Sequence, residues 1–472
     1  MKLHTIALIA VILGGCYNPS FKDGIACGPG SSCPDGTSCG GDNVCHRGGG
    51  GGGPEIDASV ADAAPSCTAN TTVCDARGHI VVCNASGTPD SDTACPLGCA
   101  AGATVCSHQK VSNDLDQYLL DAKQSADVVF PLGTTIIKAS TGDVTENGAV
   151  TIIPSTLIGN IRVFAFHSLK INGVVQFTKE FTNPAPPAIA FIVDGPVQIT
   201  RTLDVSGNGD FYGPGGLDEQ ASADAGCIGG RAASDNRTDT PHGGGGGAGG
   251  FHAGAAGGAA STGLAAGTAG VVKFDDTLVP LHGGCAGGRS ALGFSGGGGG
   301  GAIQIVSATS IEITELGIID ASGGGGGATP QNPFSDSGGG GGGGAILLEA
   351  PTIALRGASV VVSTKGGAGA GTGMNIDGTT IARGEDGGVT EAPAIGGFQP
   401  NTGILRGGNG ATVTVAATPG PSAPAGGAAA SGASGGGSTG QARFNTRDGT
   451  VTIDGAAMRT PYVVGTLTIL AP

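Results

Sequence analysis

The chain contains no tryptophan, four tyrosines and three methionines, and only 12% of its 472 residues are charged. Sugar rings usually stack on aromatic faces, so this poverty argues against a polysaccharide-cleaving enzyme. Positive charge is scarce too: 22 Lys and Arg against 37 Asp and Glu leave a net charge of −15. Without a basic stripe, nucleic acid and anionic membrane surfaces are poor partners. What abounds is glycine, at 96 residues or roughly 20% of the chain against an average of ~7%. The hydrophobic fraction of 39% nevertheless exceeds that of a disordered chain, so a core is expected.

The N-terminus carries a more specific signal. Lys2 precedes the short apolar run "TIALIAVIL", which is too short to span a bilayer comfortably, and the run leads into Leu13-Gly14-Gly15-Cys16. This stretch resembles the lipobox of bacterial lipoproteins. The resemblance implies a signal peptide over 1–15, diacylglycerol on the sulfur of Cys16, and a mature chain starting there. Each buried CH₂ of an acyl chain contributes about 0.8 kcal/mol, so a multiply acylated cysteine is a stable membrane anchor. Tyr17, where aspartate would favour inner-membrane retention, implies the outer membrane or cell surface. The competing reading is an ordinary signal peptide with a chance cysteine.

Setting Cys16 aside, the cysteines fall into even groups: Cys27, Cys33, Cys39 and Cys45; Cys67, Cys74, Cys83, Cys95, Cys99 and Cys106; and Cys227 with Cys285. Even local groups in an exported chain point to disulfides, with connectivity open in the first two groups. Zinc is the rival, but the five-residue gaps of the first group fit its usual ligand spacing poorly. Two small crosslinked modules are expected, at 16–46 and 67–107, joined by a flexible glycine-rich linker over 47–66. They resemble the cysteine modules that follow the lipobox in glycine-rich bacterial surface lipoproteins.

From residue 108 onward, after one short amphipathic helix expected over 112–124, strand signals recur in a loose repeat. "NIRVFAFHSLKINGVVQF" (160–177), "AIAFIVDGPVQITRTLDVSG" (188–207), "AIQIVSATSIEITELGIIDASG" (302–323), "AILLEAPTIALRGASVVVSTKG" (345–366) and "ARFNTRDGTVTIDGAAM" (442–458) share an alternating strand, a turn and an x-I-x-I strand. Ile161 aligns with Ile189 and Ile303, each eight residues before Leu169, Val197 and Ile311. Three short strands in about 20 residues, repeated, predict an all-β right-handed parallel β-helix over 108–472. A β-sandwich or jelly roll is the rival; it calls for hairpins and a more aromatic core. Between repeats lie glycine-rich insertions at 208–301, 324–344 and 366–441. No frame keeps glycine at every third position, because His252 breaks the period begun at Gly243, so a collagen-like or polyproline II bundle is not expected. These insertions are expected as surface loops, mostly irregular or locally layered, exposing unpaired backbone groups. Their composition resembles that of the polymorphic glycine-rich (PGRS) surface proteins.

Catalytic signals are weak. The residues between the apolar pair of each x-I-x-I strand, Lys170, Gln198, Glu312, Ala354 and Thr452, include one acid and one base, far apart in the repeat. Paired carboxylates for glycoside hydrolysis are not among them. Asp275-Asp276 and His282-Gly283 are superficially like polygalacturonase motifs at the wrong spacing, and His242, His252 and His282 all lie among glycines. Asp204, Ser206, Asn208 and Asp210 offer oxygens at alternate positions, and Asp320 repeats Asp204 one unit later. Calcium is the cofactor such a pattern would take, but no acid closes the loop. The plainer reading is that each aspartate caps its own turn. The sequence thus points to a non-catalytic surface protein, adhesive or structural, contacting glycans or envelope components through its glycine-rich loops. A β-helical polysaccharide lyase or hydrolase is the alternative.

Overall fold

The computed structural model describes residues 67–470, with breaks at 147–148, 180–184, 234–239, 292–294, 330–335, 373–382, 399–404 and 426–429, and three short strands before residue 67. Met1–Ala64 and Pro65–Pro472 form two compact units. In the first, strands Ile25–Ala26, Thr37–Cys39 and Val44–Arg47 form a small antiparallel sheet. The signal segment, Cys16, Cys27, Cys33 and the linker from residue 48 lie outside the described residues, as do the side chains of Cys39 and Cys45; Arg47, expected as the linker's first residue, ends a strand.

The second unit is dominated by β-structure, most of it parallel. Five three-strand units follow one another: Ile161–Phe166, Leu169–Ile171 and Val174–Phe177; Ala188–Val193, Val197–Ile199 and Thr202–Asp204; Ala302–Ser307, Ser310–Thr314 and Ile318–Asp320; Ala345–Glu349, Thr352–Arg356 and Val361–Ser363; and Gln441–Thr446, Thr452–Asp454 and Ala457–Arg459. Between units, first strands pair with first strands, second with second and third with third, always parallel; with flanking strands, among them the antiparallel Ser155–Ile158 on Ile161–Phe166, they make open sheets of seven, six and eight strands. An antiparallel meander, Thr134–Ile137, Asp143–Glu146 and Ala149–Ile152, extends the third sheet at its first edge. The core lies where the three sheets contribute Phe164, Phe191, Ile305, Leu348, Ile199, Ile313, Leu203 and Ile319 to one buried cluster.

The register corrects the sequence alignment by one residue at the first unit. Ile161 pairs with Ala188 rather than Ile189, whereas Ile189 does pair with Ile303, and Leu169 with Val197. A one-residue slip exchanges the faces of a strand. The observed register turns Phe164 and Phe166 inward, edge-to-face against Phe191 at 5.7 and 5.6 Å. It leaves Ile161 and Val163 on the opposite face.

That opposite face is also covered, which the expectation of simple inward alternation missed. Strands Ala188–Val193 and Ala302–Ser307 are buried at every position. Val111, Leu115, Tyr118 and Ala122 pack on this face together with Leu278 and Leu281. The expected helix over 112–124 is a 3₁₀ turn, Ser112–Asp114, then helix α1, Gln117–Gln124. Asn113, inside the turn, takes the left-handed region (φ 62), and Leu115 and Asp116 lie between the turn and α1. Burial on this face requires its polar groups to be satisfied. The Glu349 carboxylate accepts from Ser112 Oγ (2.8 Å), Gln304 Nε2 (2.7 Å) and Asn445 Nδ2 (3.0 Å), and burial raises its pKa.

Among the described residues the glycine runs are layered against each other, the second of the two expected arrangements, and they are largely buried rather than exposed. From Gly244 to Gly249 successive N–H groups donate to the carbonyls of Gly258, Ser337, Gly230, Ala255, Gly340 and Cys227, at 2.7 to 3.0 Å. Residues 244 and 247 thus share one neighbouring segment, 245 and 248 a second, and 246 and 249 a third. The same period recurs from Gly339 to Gly344, whose N–H groups reach Gly288, Gly435, Gly324, Cys285, Ser438 and Ala321 in turn. Partners that repeat every third residue imply an extended helix of three residues per turn, of the polyproline II kind, which makes no internal hydrogen bonds. All its donors are therefore free to tie neighbouring segments together. Close approach is what demands glycine: a Cβ at Gly247 would land on the carbonyl of Gly436, and one at Gly343 on that of Thr364. The expectation that such a bundle needs glycine at every third position fails because the period lies in the partners. Ala248, Ala433 and Ser434 are accommodated within the lattice, all at least 95% buried.

Residues 67–107 form a three-stranded antiparallel sheet, Thr72–Cys74, His79–Cys83 and Pro89–Ala94, with His79–Cys83 in the middle. Disulfides Cys67–Cys83, Cys74–Cys99 and Cys95–Cys106 fix it, and Cys227–Cys285 lies in the glycine lattice.

Candidate functional site

The outward side of the third sheet gathers the sequence-flagged carboxylates. Register stacks Gln176, Asp204, Asp320, Ser363 and Arg459 in one column. Asp204 Oδ1 accepts from the Ser206 amide (2.8 Å) and hydroxyl (2.6 Å), and Asp320 Oδ1 likewise from Ser322 (3.0 and 2.5 Å). Each aspartate thus closes its own Asx-turn. Asp448 and Asp275 do the same for Thr450 and Thr277. The two stacked carboxylates are then differentiated. Lys179 Nζ reaches both oxygens of Asp204, at 3.1 and 3.2 Å. Among the described residues no cation pairs directly with Asp320; burial, and then repulsion from Asp204, hold its pKa up at about 6. Lys365, 2% exposed, donates to Ala392 O (2.7 Å) and Thr390 Oγ1 (3.2 Å), and burial lowers its pKa. Sequence reasoning found the repeated aspartates but missed Lys179, which lies outside the quoted units, and Lys365, which lies at the end of the fourth.

The other calcium candidates diverge from this pair. The Asn208 amide donates to Phe211 O at 3.0 Å, and Asp210 faces Arg383 at 3.6 Å. Among the described residues no group of three or more His, Cys, Asp or Glu side chains converges as a metal site requires. On the second sheet, Lys170, Gln198, Glu312, Ala354 and Thr452 do form one column. Its acid, Glu312, pairs with Arg356 at 3.3 Å on an exposed surface.

The histidines are not in solvated glycine loops. His242 is 1% exposed and its Nδ1 lies 3.0 Å from Asp336 Oδ1, itself buried. His252 Nδ1 approaches Thr439 Oγ1 at 3.1 Å. His282 stacks on Phe274 (centroids 5.4 Å apart), and burial lowers its pKa. Asp275 is engaged with Thr277, so it and His282 form no acid–base set.

A cleft of about 810 Å³ opens beside a helix that sequence reading did not anticipate, α2, Glu219–Ala225. Its signals are local and legible: Asp218 caps the N-terminus by accepting from the Ala221 amide (2.7 Å), and Gly226 ends it in the left-handed conformation (φ 72). Tyr212, Glu219, Arg231 and Arg289 line the cleft. Comparison with models of known protein families, with curated proteins and with solved structures finds no match. Function has to be argued from the geometry alone.

Proposed function

We propose that this chain is a non-catalytic surface protein, held at the outer membrane or cell surface by lipid on Cys16, with an adhesive or structural role toward glycans or other envelope components. In this reading the three parallel sheets are the faces of a right-handed parallel β-helix, from which the glycine runs extend between turns. The handedness follows the strong general preference for right-handed crossovers between parallel strands. The observation that carries the proposal is the three-residue period of hydrogen bonds among buried glycines. Groups expected to offer backbone donors and acceptors to a partner are engaged with one another. The runs therefore supply rigidity, and adhesive contact falls to side chains at the lattice surface. Disulfides in the second unit suit an oxidising, exported location.

One observation favours a second reading, a polysaccharide lyase or hydrolase: Asp204 and Asp320 stand side by side on neighbouring strands, and burial raises the pKa of Asp320 to about 6. Against it, Lys179 neutralises Asp204. A screen for new reducing ends and unsaturated uronates, beside a pull-down on cell-envelope fractions, separates the two. The expected outcome is envelope retention without depolymerisation. Turnover abolished in Asp204→Asn or Asp320→Asn would establish the enzyme instead.

A further inference from the structure

The cleft beside α2 carries an arrangement that the structural role does not explain. Arg289 Nε is ion-paired with Glu219 Oε2. The second oxygen, Glu219 Oε1, is buried and, like Arg289 Nε itself, has no hydrogen-bond partner among the described residues. A buried acceptor left unpartnered costs about 1 to 3 kcal/mol, so it calls for a donor from a ligand. Arg231 also lines the cleft, held by its Nε and Nη2 to the carbonyls of Ser290 (3.3 Å) and Ala291 (2.7 Å). Asp218 also lines the cleft, but both its oxygens take backbone amides, of Ala221 and Ala185. The two guanidiniums therefore exceed the one carboxylate still open to a ligand.

The walls are held in place. Ile228, Gly229 and Gly230 follow Cys227 directly, and Arg289 comes four residues after its disulfide partner Cys285. Gly230 is tied into the lattice through its N–H to Thr268 O (2.7 Å). The volume lies within the range of about 300 to 1,000 Å³ usual for small-molecule sites.

The geometry points to a binding site for an acidic sugar, a hexuronate residue, whose carboxylate meets the Arg289 and Arg231 guanidiniums and whose hydroxyl donates to Glu219 Oε1. Each part answers one feature. An ammonium ligand would fill Glu219 Oε1 but face two guanidiniums. A fully ionised phosphate would satisfy the guanidiniums but bring no donor to Glu219. A polyhydroxylated monoanion satisfies both. Burial already raises the Glu219 pKa despite Arg289, which marks the group as under-solvated until a donor arrives. This assignment rests on the glycan-contacting surface role and names the chemistry of the glycan.

The test uses the full chain in detergent micelles, with galacturonate and glucuronate as probes and the methyl ester of galacturonate as the uncharged control. Saturation-transfer NMR and calorimetry should show millimolar or tighter binding of the acids and at least tenfold weaker binding of the ester. Arg289→Gln should lower affinity for the acids at least tenfold and Arg289→Lys less, with unfolding midpoints showing that both variants are folded. Equal binding of acid and ester, no binding of either acid, or undiminished binding by folded Arg289→Gln would each overturn the assignment. The surface role fails on different readouts, absence of acylation or of envelope retention, so the two failures are distinguishable.

Discussion

A single methyl group placed inside the glycine lattice should be among the most damaging small changes this protein can suffer. At Gly247, whose N–H donates to Ala255 O at 2.7 Å, an added Cβ would sit on the carbonyl of Gly436. Relief requires the strands of the lattice to part. Neighbouring bonds share the load, including Ala248 to Gly340 (2.9 Å) and Gly435 to Gly245 (3.0 Å). Overpacking alone costs about 1 to 3 kcal/mol. One or two buried amides left unpaired add about 1 to 3 kcal/mol each. Gly247→Ala is therefore expected to lose about 2 to 9 kcal/mol. Gly388 is the control: nothing lies within 4 Å of its Cβ position, and its φ is not positive. Gly388→Ala should be neutral, or stabilising by up to about 1 kcal/mol through the unfolded chain. Urea unfolding followed by circular dichroism measures both. If Gly247→Ala lost no more than Gly388→Ala, the interlocked lattice would be refuted.

Three further outcomes are expected. Labelled palmitate should enter the wild-type chain and not Cys16→Ala; equal label in both would end the lipoprotein reading. Alkylation without reductant should leave Cys227 and Cys285 unmodified, and replacing both by serine should cost about 4 kcal/mol by the loop-entropy estimate for their separation of 58, read from chemical denaturation. Asp320, held at about 6 against its ordinary 3.8, binds a proton more tightly in the folded chain than in the unfolded one. Its contribution to stability is therefore full below pH 3.8 and is lost as pH rises through about 6, with an upper bound of about 3 kcal/mol. Denaturation at pH 4.5 and 7.5 should show a smaller stability difference in Asp320→Asn than in wild type. An identical difference would place the raised carboxyl elsewhere.

Local patterns made a good part of this protein legible in the sequence. Strand alternation and the x-I-x-I repeat located the five units, because a pleated strand with one face in a core writes its period into neighbouring residues. Cysteine parity anticipated the disulfide Cys227–Cys285, and the recurring Asp-x-Ser marked Asp204 and Asp320 on equivalent strands. Tertiary structure decided what depends on partners distant in the chain. Burial of Phe164 against Phe191 set the register one residue away from the visible alignment. Docking of Val111, Leu115 and Tyr118 buried the outward face of the first sheet, so Glu349 sits in a network spanning residues 112 to 445. The cleft needed three separate segments, carrying Glu219, Arg231 and Arg289, to be brought together. The glycine runs are the sharpest case. Glycine has no side chain to record which neighbour its N–H will find. Only the folded chain, with segments from 227 to 441 packed side by side, shows that the repeat of three lies in the hydrogen bonds and not in the letters.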